Sequence, residues 1–388
     1  MKKSIFCAVA TLVVSAAAVV GGKAYNYYSM PADNNISFID ITKAKTESLE
    51  SIASDIKVIP LRDNSSDSVT LVGDIYSLKS YGKRVFLYDD RARKILYYDD
   101  GIYAGQIDKA GRGPEEYIDI GTFAYDAKRD MVALFDRHKR TLKFYSCATM
   151  RLEREIRLDY YIATLEHLSG GVYLMVKEQT SDDDAAIVIL NMDNNSIIAS
   201  HPITPLQSDL LSDLAVTRGD GDSAIIALPG YINCIYRADS SGFVEVSTIF
   251  FGRYGADRKF WNGKRDAVFY IEELLNNSVA AIAPSYYITD GNRESFWYVS
   301  KYSNDMHSQP IMSLYTSKGN DCKVVSELII DGIDGEIQPL CGANGYYYTL
   351  VYPHQISEQT NQLSPIAAEI AATADYENGN PSIVAFKL

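Results

Sequence analysis

From residue 55 onward the chain is a succession of short apolar runs broken by polar turns. Ile56-Lys57-Val58-Ile59-Pro60-Leu61 points its residues in and out as a half-buried strand does. Beyond it the pattern repeats. Val85-Phe86-Leu87-Tyr88-Asp89 followed by Ile95-Leu96-Tyr97-Tyr98 returns 47 positions later as Val132-Ala133-Leu134-Phe135-Asp136 followed by Leu142-Lys143-Phe144-Tyr145. Each copy predicts four short strands, at 73–79, 84–89, 93–98 and 103–108, then at 120–126, 131–136, 141–146 and 152–158. Weaker copies follow at Val172–Lys177 with Ile187–Asn191, Ala224–Leu228 with Cys234–Ala238, Phe296–Lys301 with Ile311–Thr316, and Tyr346–Tyr352 with Ser382–Leu388.

A four-strand unit at this period is the mark of a propeller blade. The expected fold is all-β: a six-bladed β-propeller over residues 55–388. The last blade lacks a fourth strand, so the strand Ile56–Leu61 is expected to complete it and close the ring without a free edge. Two small helical insertions interrupt the repeat, near 265–283 (Val268, Ile271, Leu274, Leu275 and Val279 at helical spacing) and near 355–374 (Ile366, Ile370 and several alanines after Pro365). Residues 1–24 read as an export signal, with Lys2 and Lys3 ahead of an apolar run from Ser4 to Val20 and cleavage after Ala18 or Ala24. An uncleaved run would serve as an anchor and is the only route by which a membrane enters. Residues 25–54 form an N-terminal segment ahead of the ring.

The turn Gly111-Arg112-Gly113-Pro114-Glu115-Glu116-Tyr117 joins the first two units, and its glycines are expected to supply the φ > 0 angles of a sharp reversal. In an up-and-down blade with strands A to D, the B–C and D–A connections share one face. This turn therefore lies beside Asp89-Asp90-Arg91-Ala92-Arg93 and Asp136-Arg137-His138-Lys139-Arg140, on the face that also takes both insertions. Long connections gathered at one end of a ring build binding sites. The candidate binding residues are Asp89, Arg91, Arg112, Glu115, Tyr117, Asp136, Arg137 and His138. Each has a plainer role beside it: Asp89 and Asp136 end strands where Asp accepts turn hydrogen bonds, and Glu115 and Glu116 suit a solvated turn or an ion pair with Arg112.

A net charge of −13 excludes nucleic-acid phosphates and anionic membrane surfaces as partners. The 29 tyrosines suit half-buried strands with one wet end. Cys147, Cys234, Cys322 and Cys341 allow three pairings or none, and no Cys-x-x-Cys, His-x-x-x-His or Gly-x-Ser-x-Gly pattern marks a metal or serine-hydrolase site. The Asp182-Asp183-Asp184 run lacks the ligand spacing of a calcium loop, and Arg218-Gly219-Asp220 reads as part of a hairpin turn.

Ile56–Leu61, Val85–Asp89, the Gly111–Tyr117 turn and the ending Gly379-Asn380-Pro381-Ser382-Ile383-Val384-Ala385-Phe386-Lys387-Leu388 resemble the exported six-bladed β-propeller proteins of Gram-negative gut bacteria, related to TolB-like and NHL-type propellers. The resemblance implies the architecture and little chemistry. The expected function is that of a non-enzymatic extracytoplasmic binding protein, in the periplasm, at the outer surface or outside the cell. It is expected as a monomer that takes a small molecule, glycan, peptide or envelope protein on its loop-rich face. The alternative is a channel-centred hydrolase or lyase, with Ca²⁺ or a similar divalent cation as its cofactor.

Overall fold

The structure, a computed structural model, describes residues 36–64, 70–179, 184–211, 215–256, 258–261, 281–301, 311–319, 321–357 and 363–388. Strands β1 (Ile36–Phe38), β2 (Lys45–Ser48) and β3 (Asp55–Pro60) precede the repeating units. The first unit is β4 (Ile75–Tyr81), β5 (Arg84–Asp89), β6 (Lys94–Asp99) and β7 (Ile102–Ile107). The second is β8 (Ile120–Asp126), β9 (Met131–Asp136), β10 (Thr141–Ser146) and β11 (Leu152–Arg157). The third is β12 (Ile162–Ser169), β13 (Val172–Lys177), β14 (Ala186–Asn191) and β15 (Ser196–Pro202). Next come β16 (Val216–Arg218), β17 (Ala224–Leu228), β18 (Asn233–Asp239) and β19 (Gly242–Phe250), then β20 (Ile282–Asp290), β21 (Arg293–Lys301), β22 (Ile311–Lys318) and β23 (Asp321–Ile329). The chain finishes with β24 (Cys341–Ala343), β25 (Tyr346–Val351) and β26 (Ser382–Lys387).

The architecture is an all-β propeller with few helices. Four blades stand as separate sheets, in place of the six expected: β4–β7, β8–β11, β12–β15, and β20–β23 with β2 added. The remaining strands form one nine-stranded sheet in the order β1-β19-β18-β17-β16-β24-β25-β26-β3. Its two halves meet at a single parallel pair, Arg218 with Ala343, reinforced by the Asn344 N–H donating to the Arg218 carbonyl at 2.9 Å. Gly342 permits the approach, because a Cβ there would stand 3.0 Å from Thr217 Cγ2 and 3.3 Å from Tyr286 Cβ.

The N-terminal segment runs along the outer edges of successive units. β1 lies parallel on β19, β2 parallel on β23 and β3 antiparallel on β26, with Ile59 opposite Ile383, and Arg62 then bridges to Ile102 at the edge of β7. Each of these edges has its backbone groups met by the same continuous segment.

Neighbouring units pack through apolar clusters. Phe86 and Ile95 of the first unit meet Phe123 and Val132 of the second, and Leu78 and Leu96 of the first also meet Leu350 and Ile383. Many of the tyrosines are more deeply buried than half-wet strands require. Their hydroxyls donate across unit boundaries: Tyr97 to the Cys147 carbonyl at 2.7 Å, Tyr145 to the Glu115 carbonyl at 2.8 Å, and Tyr347 to Ser295 Oγ at 2.8 Å. A tyrosine can fill an interface between sheets because its one polar atom finds a partner there.

The second insertion contains a short 3-10 turn, Pro353–Gln355, and the helix Pro365–Thr373, whose Ala367 and Ile370 pack against Val384 and Phe386. Residues 265–280 of the expected helix near 265–283 and the Asp182-Asp183 part of the acidic run lie outside the described residues, as do the export signal and the start of the N-terminal segment, while Ala281 leads into β20, which holds Ile282 and Ala283. Cys147, Cys234, Cys322 and Cys341 are all free thiols.

Candidate functional site

The repeated aspartates are turn builders. Asp89 Oδ1 accepts from the Ala92 N–H at 2.9 Å, while Oδ2 accepts from the Gly73 N–H at 3.2 Å. Asp136 does the same one unit later, taking the Lys139 N–H at 3.2 Å and the Ile118 N–H at 3.0 Å. Each buried carboxylate clamps its own B–C turn to the segment leading into the inner strand, so neither is a free ligand group.

Tyr117 is also withdrawn from the surface. It is fully buried, and its hydroxyl donates to the carbonyls of Arg93 at 2.7 Å and Ile107 at 3.0 Å. The expectation of a rim residue is corrected: the ring fills the core between the first two units.

The Gly111–Tyr117 turn needs its glycines for a different reason from the one expected. Neither Gly111 nor Gly113 takes a positive φ. Instead, the Glu116 carboxylate folds back to accept the Gly113 N–H at 2.6 Å, and a Cβ at Gly111 would collide with that carboxylate. Glu116 is thus bonded within the turn. Arg91, Arg112, Glu115 and His138 remain exposed on the same face, and Arg137 pairs with Glu178 at 3.1 Å.

An opening lies elsewhere on this face. A cavity of about 690 Å³ sits between the first unit and the β24–β25–β26–β3 half of the nine-stranded sheet. Gly73, Asp74, Ile75 and Tyr76 form one wall, Asp90 stands at the B–C turn, and Glu336, Gln338, Leu340, Leu350, Tyr352 and His354 complete it. Its volume falls within the range of about 300–1,000 Å³ usual for ligand pockets.

Each wall is held by polar contacts. The Asp90 N–H donates to the Asp74 carbonyl at 3.1 Å, Tyr88 donates to Asp90 Oδ1 at 2.8 Å, and the Tyr352 hydroxyl donates to the Gly73 carbonyl at 3.4 Å. The 3-10 turn is locked by the Tyr352 N–H on Gln355 Oε1 at 2.8 Å. Burial, and then the carboxylates of Asp74 and Asp89, raise the pKa of the Tyr352 hydroxyl. Asn380, in the Gly379-Asn380-Pro381 ending, buckles the two walls together. Its side chain accepts the Val72 N–H at 2.8 Å and donates to the Thr70 carbonyl at 2.9 Å and Asp375 Oδ2 at 3.1 Å.

Deeper along β4 the chemistry changes. Lys79, Tyr81, Glu166 and Arg218, from three inner strands, converge around a void of about 30 Å³, the room of one water. Arg218 Nη1 donates to Glu166 Oε1 at 2.8 Å and to the His167 carbonyl at 2.9 Å, and its guanidinium stacks over the Tyr81 ring at 4.7 Å. Lys79 Nζ donates to the Leu165 carbonyl at 2.8 Å and lies 3.9 Å from Glu166. Burial disfavours the Arg218 charge, but the Glu166 carboxylate and Tyr81 outweigh it and hold its pKa above the ordinary value. The two cations share Glu166 and also donate to backbone carbonyls, and the void between them leaves no space for a substrate.

Motif spacing does not reveal this cluster, since Lys79 and Arg218 are far apart in the chain. The available signal was a charged residue inside an otherwise apolar inner strand, as in Leu78-Lys79-Ser80 and Leu165-Glu166-His167. Among the described residues no group of three or more His, Cys, Asp or Glu is arranged to hold a metal ion. No described helix is long and apolar enough to cross a membrane.

Comparison with known proteins places the fold among relatives. The profile of a family described as a domain of unknown function, DUF4934, matches residues 36–387. A crystal structure of a Bacteroides fragilis protein assigned as exported superposes with a TM-score of 0.65 at 14% identity, covering 89% of this chain and 99% of that one. A member of the DUF4221 family from Bacteroides vulgatus matches at a TM-score of 0.46 and 9% identity, over 87% of this chain and 96% of that one. No curated protein sequence matches the chain.

Proposed function

The chain belongs to the DUF4934 family, and on the geometry above we propose that it is an exported, non-enzymatic binding protein that takes a small ligand in the cavity between its first and last blades. The nine-stranded sheet is read as two blades joined at their inner strands, which makes six blades in all. Six apolar clusters support this count, each straddling a successive pair of units, the last joining Leu78 and Leu87 to Ala343 and Ala385. In this reading β3 is the outer strand of the sixth blade and closes the ring.

The observation that carries the function is the cavity of about 690 Å³ on the face shared by the B–C and D–A connections. The self-paired cluster of Lys79, Glu166 and Arg218 beneath it argues for binding rather than chemistry along the axis. Arg91, next to Asp90, and the exposed Arg112, Glu115 and His138 of the neighbouring turns do not line this cavity and are left for contacts outside it. An export signal in the sequence, and a structural neighbour assigned as exported, support a location outside the cytoplasm.

The test is a thermal-shift and calorimetric screen of the purified protein with amines, amino acids, dipeptides and oligosaccharides, alongside the variant Gln338→Trp, which fills the cavity from one wall. Hits abolished by the variant uphold the reading. Hits that all survive in a folded variant place binding elsewhere and overturn it.

A further inference from the structure

The side chains that line the cavity carry charge of one sign. Asp74, Asp90 and Glu336 face it, and no Lys or Arg is among its lining residues. None of the three carboxylates forms an ion pair among the described residues, in contrast to Asp99, Asp130, Asp193 and Glu166, which are each paired with arginine. Their only side-chain partners are neutral: the Tyr88 hydroxyl on Asp90 at 2.8 Å, and Gln338 Nε2 on Glu336 at 3.2 Å.

Two aromatic groups share the same walls. Tyr76 is 59% exposed, with the edge of its ring toward Tyr88 at 6.1 Å, and Tyr352 lies at the opposite wall with the His354 ring 5.7 Å away. A tyrosine face attracts a cation through its quadrupole, and a carboxylate attracts it by charge. An anionic ligand meets repulsion from both walls. The three carboxylates are themselves exposed to solvent, so their attraction for a cation is sensitive to salt.

We infer that the ligand of this cavity is a cation, a small amine-bearing molecule whose ammonium group sits among Asp74, Asp90 and Glu336 with its carbon chain against Tyr76 and Tyr352. This rests on the cavity being a binding site, and adds the chemical class of what it binds.

The experiment uses the full protein and isothermal titration with three probes: spermidine, neutral maltotriose and citrate, at low and at moderate sodium chloride. Spermidine is expected to bind, with affinity falling about 5- to 10-fold between the two salt conditions and by a similar factor in Asp74→Asn/Glu336→Gln, as screening or removal of nearby charges requires. Citrate is expected not to bind. Binding of maltotriose without salt dependence, lost in Gln338→Trp, would overturn the cationic class while leaving the cavity as the site. Spermidine binding that survives Gln338→Trp, or no binding of any probe, would remove both readings. The salt series needs no variant, so a misfolded double variant leaves the inference testable.

Discussion

Replacing Glu166 with methionine strips two cations of their counter-charge in a largely buried cluster. The Glu166 side chain is 6% exposed, with Arg218 at 2.8 Å and Lys79 at 3.9 Å. At an effective dielectric constant of ~20, those separations correspond to about 6 and 4 kcal/mol of attraction. Desolvation of the three groups, several kcal/mol per ion, offsets most of that in the native protein. In Glu166→Met the attraction is gone and the desolvation of Arg218 and Lys79 stays, so a loss of about 3–5 kcal/mol is expected. Glu166→Gln keeps an acceptor for Arg218 and should lose less. The triple variant Lys79→Met/Glu166→Met/Arg218→Met removes every buried charge of the cluster and should recover to within about 2 kcal/mol of the parent, because an apolar replacement of similar volume is often neutral. Urea unfolding followed by far-ultraviolet circular dichroism reads all four proteins at a common m-value. If Glu166→Met lies within about 1 kcal/mol of the parent, or the triple variant is no more stable than the single, the cluster is not a closed electrostatic unit and the argument fails.

Other outcomes follow from separate parts of the fold. Gly111→Ala should destabilise by about 1–3 kcal/mol through its collision with the Glu116 carboxylate, and Glu116→Ala in the same chain should relieve much of the loss in thermal unfolding. Cys322 is exposed, whereas burial pushes the Cys147 thiol up to about 12, so an aromatic disulfide reagent at pH 8 should modify Cys322 quickly and leave Cys147 intact in a peptide map. The two Arg84 hydrogen bonds hold the Asp99 carboxyl below its usual pKa, which makes its contribution to stability full above the ordinary carboxylate range and lost as pH falls through the lowered value. Arg84→Met should flatten that acid limb in a pH series of urea midpoints, and an unchanged limb would refute the linkage.

Much of the propeller was legible because its cues are local. Val85–Asp89 and Val132–Asp136 read as strands from side-chain alternation, and their final aspartates read as turn residues because an Asp accepting the N–H three positions on needs nothing from the rest of the chain. The same local logic misjudged Tyr117 and the glycines beside it. Their roles depend on Arg93, Ile107 and Glu116 closing over them, and turn chemistry alone does not carry that information.

The sequence by itself determined the strand spacing and many of the turns, since short-range sterics and hydrogen bonds act between residues a few positions apart. Only the tertiary structure decided which sheets merge, where the cavity opens and which charges are buried. Arg218 meets Ala343 because Gly342 has no side chain to keep the strands apart, and Lys79, Glu166 and Arg218 converge because three inner strands point toward one axis. Separations of that kind are set by how sheets pack on one another, and no spacing along the chain encodes them.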